Sequence, residues 1–321
     1  MRVFVCEFVT GGGLRAEALP DSLTREASLM RDAMVRDLAA LPRVTEVLLA
    51  CDDRLPVPVP VPGAVPVAAG DDAFAIWRRL AQGADVVWPV APETSGILAR
   101  LVRMLAQTGA QVLASTPQAI EASASKLETA RRLAAAGLPH IPTFRLGAAP
   151  ELAGARVTKP DDGAGCEATR VWPAGAPASP GQAENLVIQP YVAGDAASLT
   201  VLADAAGVRL LSVNRQHIRQ EGGRIRLAGL TVGGLADADG QLARLARHVA
   251  EAFPGLAGIF GIDILLTPDG PVVVEVNPRL TTAYAGLGPA LGRNPAGLLA
   301  VFASAAPEAP AARTPVELAL A

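Results

Sequence analysis

Along the first 115 residues short apolar runs alternate with segments of helical period, whereas beyond Gly137 the apolar runs follow one another with few helices between them. Alternating strands and helices build a parallel sheet covered on both faces, while consecutive strands build antiparallel sheet. Residues 2–9 read as a buried strand ending in Thr10-Gly11-Gly12-Gly13, and Leu23, Ala27, Met30, Met34 and Leu38 set a helix over residues 22–40. Strand 44–50, helix 71–82, strand 84–90, helix 95–108 and strand 110–114 continue the alternation. The run PVPVPVPGAVP (56–66) cannot occupy a central strand, because proline donates no ladder hydrogen bond, and it reads as an extended surface connection. After a helix over residues 126–136, closed by Gly137, strands are expected at 154–159, 168–172, 185–192, 196–204 and 207–214. A helix at 239–253, strands at 258–266 and 271–277, and a fraying Ala/Pro-rich tail from residue 305 complete the chain, with no internal repeat. The expected class is therefore α/β, becoming α+β in the C-terminal part.

With 321 residues, half of them hydrophobic, the chain is long enough for two or three packed units. The net charge is −3 and the 28 Lys and Arg are dispersed, so there is no basic stripe and nucleic acid is not an expected partner. Cys6, Cys51 and Cys166 are odd in number and far apart, which suggests neither a disulfide framework nor a zinc site and fits a reducing cytoplasm. The apolar run at the start is broken by Glu7, and no stretch approaches the roughly 18 apolar residues of a membrane span. Neither an export signal nor a membrane partner is expected.

The most informative stretch is GIFGIDILLTPDGPVVVEVNPRLTTAYAGLG, residues 258–288. Two apolar strands flank Thr267-Pro268-Asp269-Gly270. Proline cannot supply the positive φ of a two-residue hairpin turn, whereas a type I turn with Gly270 in the left-handed position makes a three-residue loop. With loop residues 268–270, Thr267 faces Pro271, and counting back sets Asp263 opposite Glu275, with Asn277 on the same face. Such a face suits Mg²⁺, which takes one or two carboxylates together with phosphate oxygens. The plainer alternative is a hairpin whose acids pair with Arg279 or sit at a solvent edge.

The pattern Asp263, then Glu275-Val276-Asn277-Pro278-Arg279, resembles the metal-binding end of the ATP-grasp superfamily of carboxylate–amine ligases. The resemblance implies an N-terminal pre-ATP-grasp α/β domain (1–115), a central lobe with a phosphate loop (116–184), a C-terminal lobe with the metal site (185–305) and a tail (306–321). It implies ATP and Mg²⁺, with Mn²⁺ able to replace it, held by Asp263, Glu275 and Asn277, and Arg279 facing charge on the activated carboxylate. Lys126, opening KLETARRLAAAGLPHIPT, and Lys159, in RVTKPDDGAGCEATRV, are similar to the two family lysines that meet nucleotide phosphate. Gly163 and Gly165 mark the phosphate loop, where the lack of a Cβ lets backbone N–H groups approach phosphate; Cys166 beside them has no implied role. In LVIQPYVAGDAASLTVL the backbone of Gln189, Pro190, Tyr191 and Val192 is expected against adenine. Where many members carry acids this chain has Gln189 at the first position and Asp195 or Ala196 at the second. Arg215 and His217 share a strand face and are expected toward phosphate or substrate, His217 being equally readable as a surface histidine. Glu26, the loop Thr10, Gly11, Gly12 and Gly13, and Glu93 are substrate candidates.

EFVTGGGL, PDSLTREASLMRDAMVRDLA, WPVAPETSGIL and NPRLTTAYAGL look most like one branch, the tyramine-glutamate ligases of methanofuran synthesis and their bacterial relatives. That branch implies small-molecule partners, glutamate as acid and tyramine or tyrosine as amine. Another amino acid or peptide as substrate, or a nucleotide-binding regulator without turnover, remains open. A dinucleotide-dependent oxidoreductase is disfavoured because the TGGG loop is not GxGxxG. Oligomeric state is open, a homodimer included.

Overall fold

The computed structural model describes residues 1–57, 61, 64–163, 166, 168–178, 185–303 and 312–320. Five parallel strands, β1 (Arg2–Glu7), β2 (Glu46–Asp52), β3 (Val65–Val67), β4 (Val86–Val90) and β5 (Gln111–Val112), form a sheet in the order β3-β2-β1-β4-β5. The intervening helices are α1 (Asp21–Ala39), α2 (Ala73–Gln82) and α3 (Ile97–Leu105). β3 lies at the sheet edge, the position where Pro66 costs no central ladder bond. It takes in residues 65 and 66 of the stretch expected as pure connection.

Two helices follow, α4 (Pro117–Ala124) and α5 (Lys126–Ala135). α4 was not expected, although Thr116 caps it by accepting from Ala119 N at 3.3 Å and Pro117 occupies its first turn. α5 carries the S-x-x-E signature of a capped start: Ser125 Oγ accepts from Glu128 N at 3.1 Å, and Glu128 pairs with Arg132 one turn on at 2.9 Å.

The second sheet has ten strands, and its recorded pairs are all antiparallel. They are β6 (Phe144–Arg145), β7 (Arg156–Pro160), β8 (Arg170–Trp172), β9 (Leu186–Pro190), β10 (Asp195–Asp204), β11 (Gly207–Glu221), β12 (Arg224–Leu235), β13 (Gly258–Thr267), β14 (Gly270–Asn277) and β15 (Val316–Ala319). The order is β14-β13-β10-β11-β12-β8-β7-β9-β6, with β15 added to β12. Three departures from expectation stand out. β11 runs on to Glu221, β12 occupies a stretch given no element, and part of the tail expected to fray forms β15, with Leu320 buried beyond it.

Helix α6 (Gln241–Ala252) covers one face of this sheet, where Leu242, Leu245 and Val249 meet Leu199, Phe260 and Ile262. Part of the other face, through Leu202, Leu230, Val232 and Ile259, joins a core with α1, Trp88 and Tyr284; helix α7 (Leu287–Leu291) adds Leu287 to it. The Trp88 and Tyr284 rings meet edge-on at 5.5 Å. Each such large buried side chain contributes about 2 to 3 kcal/mol by leaving water, so the parallel-sheet unit is fixed against the antiparallel one. Among the described residues no helix is long and apolar enough to cross a membrane.

Candidate functional site

The hairpin β13–β14 sets Asp263 opposite Glu275. The path to that register differs from the expected one. Thr267 pairs with Gly270 across a two-residue turn, not with Pro271, and the extra residue is absorbed by a bulge between Asp263 and Ile264 that leaves Val274 unpaired. Gly270 has the expected positive φ, +118°. Asn277 reaches across, donating Nδ2 to Asp263 Oδ2 at 3.2 Å, and Gln216 of β11 donates to Asp263 Oδ1 at 3.0 Å. Asp263 and Glu275 continue a row through Ser198 of β10 to Asn214 of β11. Asn214 is fully buried and bonded to Ser198, Thr200, Ser212 and Gly233 N, which ties the site face to a rigid polar layer.

Two buried lysines face these acids. Lys126 Nζ lies 3.4 Å from Glu275 Oε1 and donates to Gly163 O at 2.6 Å and Asp161 O at 3.4 Å. The Asp161 carboxylate accepts from Leu127 N at 2.9 Å and Ser125 Oγ at 2.8 Å, so one residue joins the end of β7 to the start of α5. Burial pushes the Lys159 ammonium down to about 8, against the pull of Glu275. Burial and the neighbouring Glu275 push the Asp263 carboxyl up to about 6. In both, burial is the largest cause and the opposite charges nearby offset only part of it. Cys166 is driven up to about 12 by burial and by Asp263 and Glu275, which leaves it a thiol without nucleophilic character.

A third group comes from the first sheet. Glu93, just beyond β4, pairs with Arg279 through both oxygens, at 3.0 and 3.1 Å; Glu93 is buried and Arg279 partly so. Glu26 on α1 accepts from Thr282 Oγ1 at 2.9 Å, and burial raises its pKa. In the loop after β1, Glu7 accepts from Val9 N, Thr10 N and Thr10 Oγ1, holding Thr10 and Gly11 buried. Gly12 adopts φ +93°, where a Cβ would lie 2.6 Å from Val67 Cγ1. This loop, Glu26 and Glu93 all stand at the carboxyl ends of β1 and β4, where the strand order reverses and open α/β sheets bind ligands.

Arg215 does not join the carboxylate face. It alternates with Asn214 and Gln216, so its side chain takes the opposite face, half-exposed and 3.8 Å from Asp195. His217 goes with it, at 2.8 Å from Thr231 Oγ1 and 3.3 Å from Glu317. Gln216 and Asn214 are the residues that a one-position change of phase would have found. Gln189 donates its buried side-chain amide to Thr143 Oγ1 at 2.8 Å, Pro190 ends β9, and Tyr191 N donates to Ala155 O at 2.9 Å. Gln189 through Val192 thus span the step from β9 to β10, with Tyr191 and Asp195 exposed. Gly165 lies outside the described residues.

Among the described residues no three His, Cys, Asp or Glu groups are close enough to hold a metal alone. The donor set on the hairpin is two carboxylates and an amide beside two ammonium groups. That set fits Mg²⁺, which takes one or two carboxylates and would draw the rest of its shell from phosphate oxygens and water.

Comparison with known proteins matches residues 123–283 to the ATP-grasp domain and residues 45–120 to the pre ATP-grasp 3 domain. A tyramine–L-glutamate ligase of Methanocaldococcus jannaschii is 31% identical over 108 residues, 32% of this chain and 32% of that protein. The matched stretch thus spans about a third of that relative. A solved ATP-grasp superfamily protein from Archaeoglobus fulgidus superposes with a TM-score of 0.74 at 20% identity over 99% of both chains. N5-carboxyaminoimidazole synthetase from Staphylococcus aureus, solved with ADP, gives 0.67 at 14% identity over 98% of this chain and 80% of that one. At these identities the two structures show likeness of fold.

Proposed function

The chain belongs to the ATP-grasp family, and on that premise we propose that it is an ATP-dependent carboxylate–amine ligase. The proposed acid is glutamate and the amine tyramine or tyrosine, in the making of a methanofuran-type cofactor. The observation that carries the reaction class is Asp263 opposite Glu275 with Asn277 beside them and the buried Lys126 3.4 Å from Glu275. The substrates rest on the match to tyramine–L-glutamate ligase.

A carboxylate does not acylate an amine at neutral pH, because oxide would have to leave. The substrate carboxylate oxygen attacks the γ-phosphorus of ATP, the bond to the β-phosphate oxygen breaks and ADP leaves. The nitrogen of the free, unprotonated amine then attacks the acyl phosphate carbon, and the tetrahedral adduct expels inorganic phosphate and gives up the nitrogen's proton to leave the amide. When bound through Asp263, Glu275 and Asn277, Mg²⁺ supplies Lewis acidity toward the phosphates. Lys126 and Lys159 neutralise phosphate charge as it shifts, and Arg279, pre-oriented by Glu93, stabilises charge on the acyl phosphate and its adduct. Glu26, held by Thr282 beside the loop Thr10 to Gly12, receives the substrate ammonium.

Purified protein given MgATP is expected to release ADP and phosphate only with both an acid and an amine present, screened as glutamate with tyramine, tyrosine and other amines. Glu275→Gln and Asn277→Ala should each lower turnover by about 10 to 100-fold, the usual cost of a lost group at a metal site. Full activity in both variants would refute the metal assignment. Tight ATP binding without substrate-dependent ADP release would identify a regulator.

A further inference from the structure

The turn between β4 and α3 touches two separate walls of the cleft. At one end Glu93 holds Arg279, which follows β14. In the next two residues Thr94 Oγ1 donates to Asp162 O at 3.1 Å and Ser95 N donates to Asp162 Oδ2 at 3.0 Å. Asp162 sits between Asp161, which caps α5, and Gly163, whose carbonyl takes the Lys126 ammonium. Lys126 in turn meets Glu275. The polar contacts therefore close a ring, from Arg279 through Glu93 and the turn to Asp162, on to Lys126 and back to the hairpin at Glu275.

The turn is also strained where it makes these contacts. Ser95 has φ +55°, followed by Gly96 at +68°. A non-glycine residue in the left-handed region persists only where its surroundings hold it. The bond from Ser95 N to Asp162 is such a hold, and it comes from the other sheet.

We propose that residues 93–96 form a clasp by which the parallel-sheet unit senses and positions the phosphate side of the cleft, with Asp162 as the positioning residue on the far side and Arg279 as the group positioned through Glu93. This rests on the nucleotide reading of the cleft given above. Phosphate bound near Lys126 and Gly163 fixes the 161–163 segment, Asp162 fixes the Ser95 backbone, and the same turn fixes Glu93 and Arg279. Arrival of nucleotide thereby orders the group that meets the acid.

Hydrogen exchange with and without Mg–ADP tests the clasp, followed in peptides covering 156–163 and 93–105. In the unmodified protein Mg–ADP should slow exchange several-fold in both segments. Asp162→Ala, which removes the Ser95 N contact and leaves Thr94 on the main-chain carbonyl, should keep the slowing at 156–163 and weaken it at 93–105, while Asp162→Asn, which retains an oxygen for Ser95 N, should keep both. Slowing at 93–105 that is equal in Asp162→Ala, or missing from the unmodified protein while 156–163 responds, overturns the clasp. If neither segment of the unmodified protein responds to Mg–ADP, the nucleotide reading itself fails and the clasp falls with it.

Discussion

Asp263 and Lys159 are shifted in opposite directions by the same cause, burial of charge. Asp263 titrates near 6 in the folded protein, above the ordinary aspartate value of about 3.9. Between those values the folded state binds more protons than the unfolded, so this group lends stability at low pH that is lost as pH rises through about 6. Lys159 titrates near 8, below the ordinary lysine value of about 10.4. There the unfolded state binds more protons, so folding gains from this group as pH is raised from about 8 toward 10. A carboxylate must be ionised to bind a metal. Calorimetric titration with Mg–ADP should therefore show affinity falling as pH drops through about 6, and a flat affinity across that range would remove Asp263 from the ligand set. The carboxylates were legible in the sequence because acids at Asp263 and Glu275 interrupt otherwise apolar strands. The pairing of Glu93 with Arg279 was not, because 186 residues separate them and either alone reads as a solvated charge.

At the scale of elements, the hairpin and the strand beside it show two ways in which register is read. The hairpin came out with Asp263 opposite Glu275 although the turn was assigned one residue too long, because the bulge at Val274 adds back the residue that the tighter turn omits. Along Asn214-Arg215-Gln216-His217 every side chain is polar, so period two has no apolar marker to say which face meets the carboxylates; Arg215 and His217 share one face, and Asn214 and Gln216 take the carboxylate one. β12 escaped notice because Gly229, Gly233 and Gly234 give it the composition of a loop. Gly229 has a packing reason: a Cβ there would lie 2.5 Å from Leu318 O of β15. Gly229→Ala should push β15 off β12 and cost about 1 to 3 kcal/mol, read as a lower melting temperature together with faster hydrogen exchange at 312–320. Unchanged protection of β15 would show that the two strands can separate slightly and still pair.

For the whole molecule, the change of rhythm near residue 137 was enough to foresee a parallel sheet followed by an antiparallel one, since each pattern admits few arrangements. What it could not convey is that the carboxyl edge of the first sheet is brought against the carboxylate face of the second. That apposition depends on a core shared by α1, Trp88, Tyr284 and β12, whose members are scattered through the chain. It sets Glu26 against Thr282 and Glu93 against Arg279, beside the hairpin. The central claim is that a cation bridges nucleotide oxygens to Asp263, Glu275 and Asn277. Crystals grown with ADP and Mn²⁺, measured for anomalous scattering, should show a peak about 2.1 Å from oxygens of Asp263 and Glu275, the distance expected of a small hard cation. A peak elsewhere, with those two carboxylates free of metal while ADP is bound, would contradict the account.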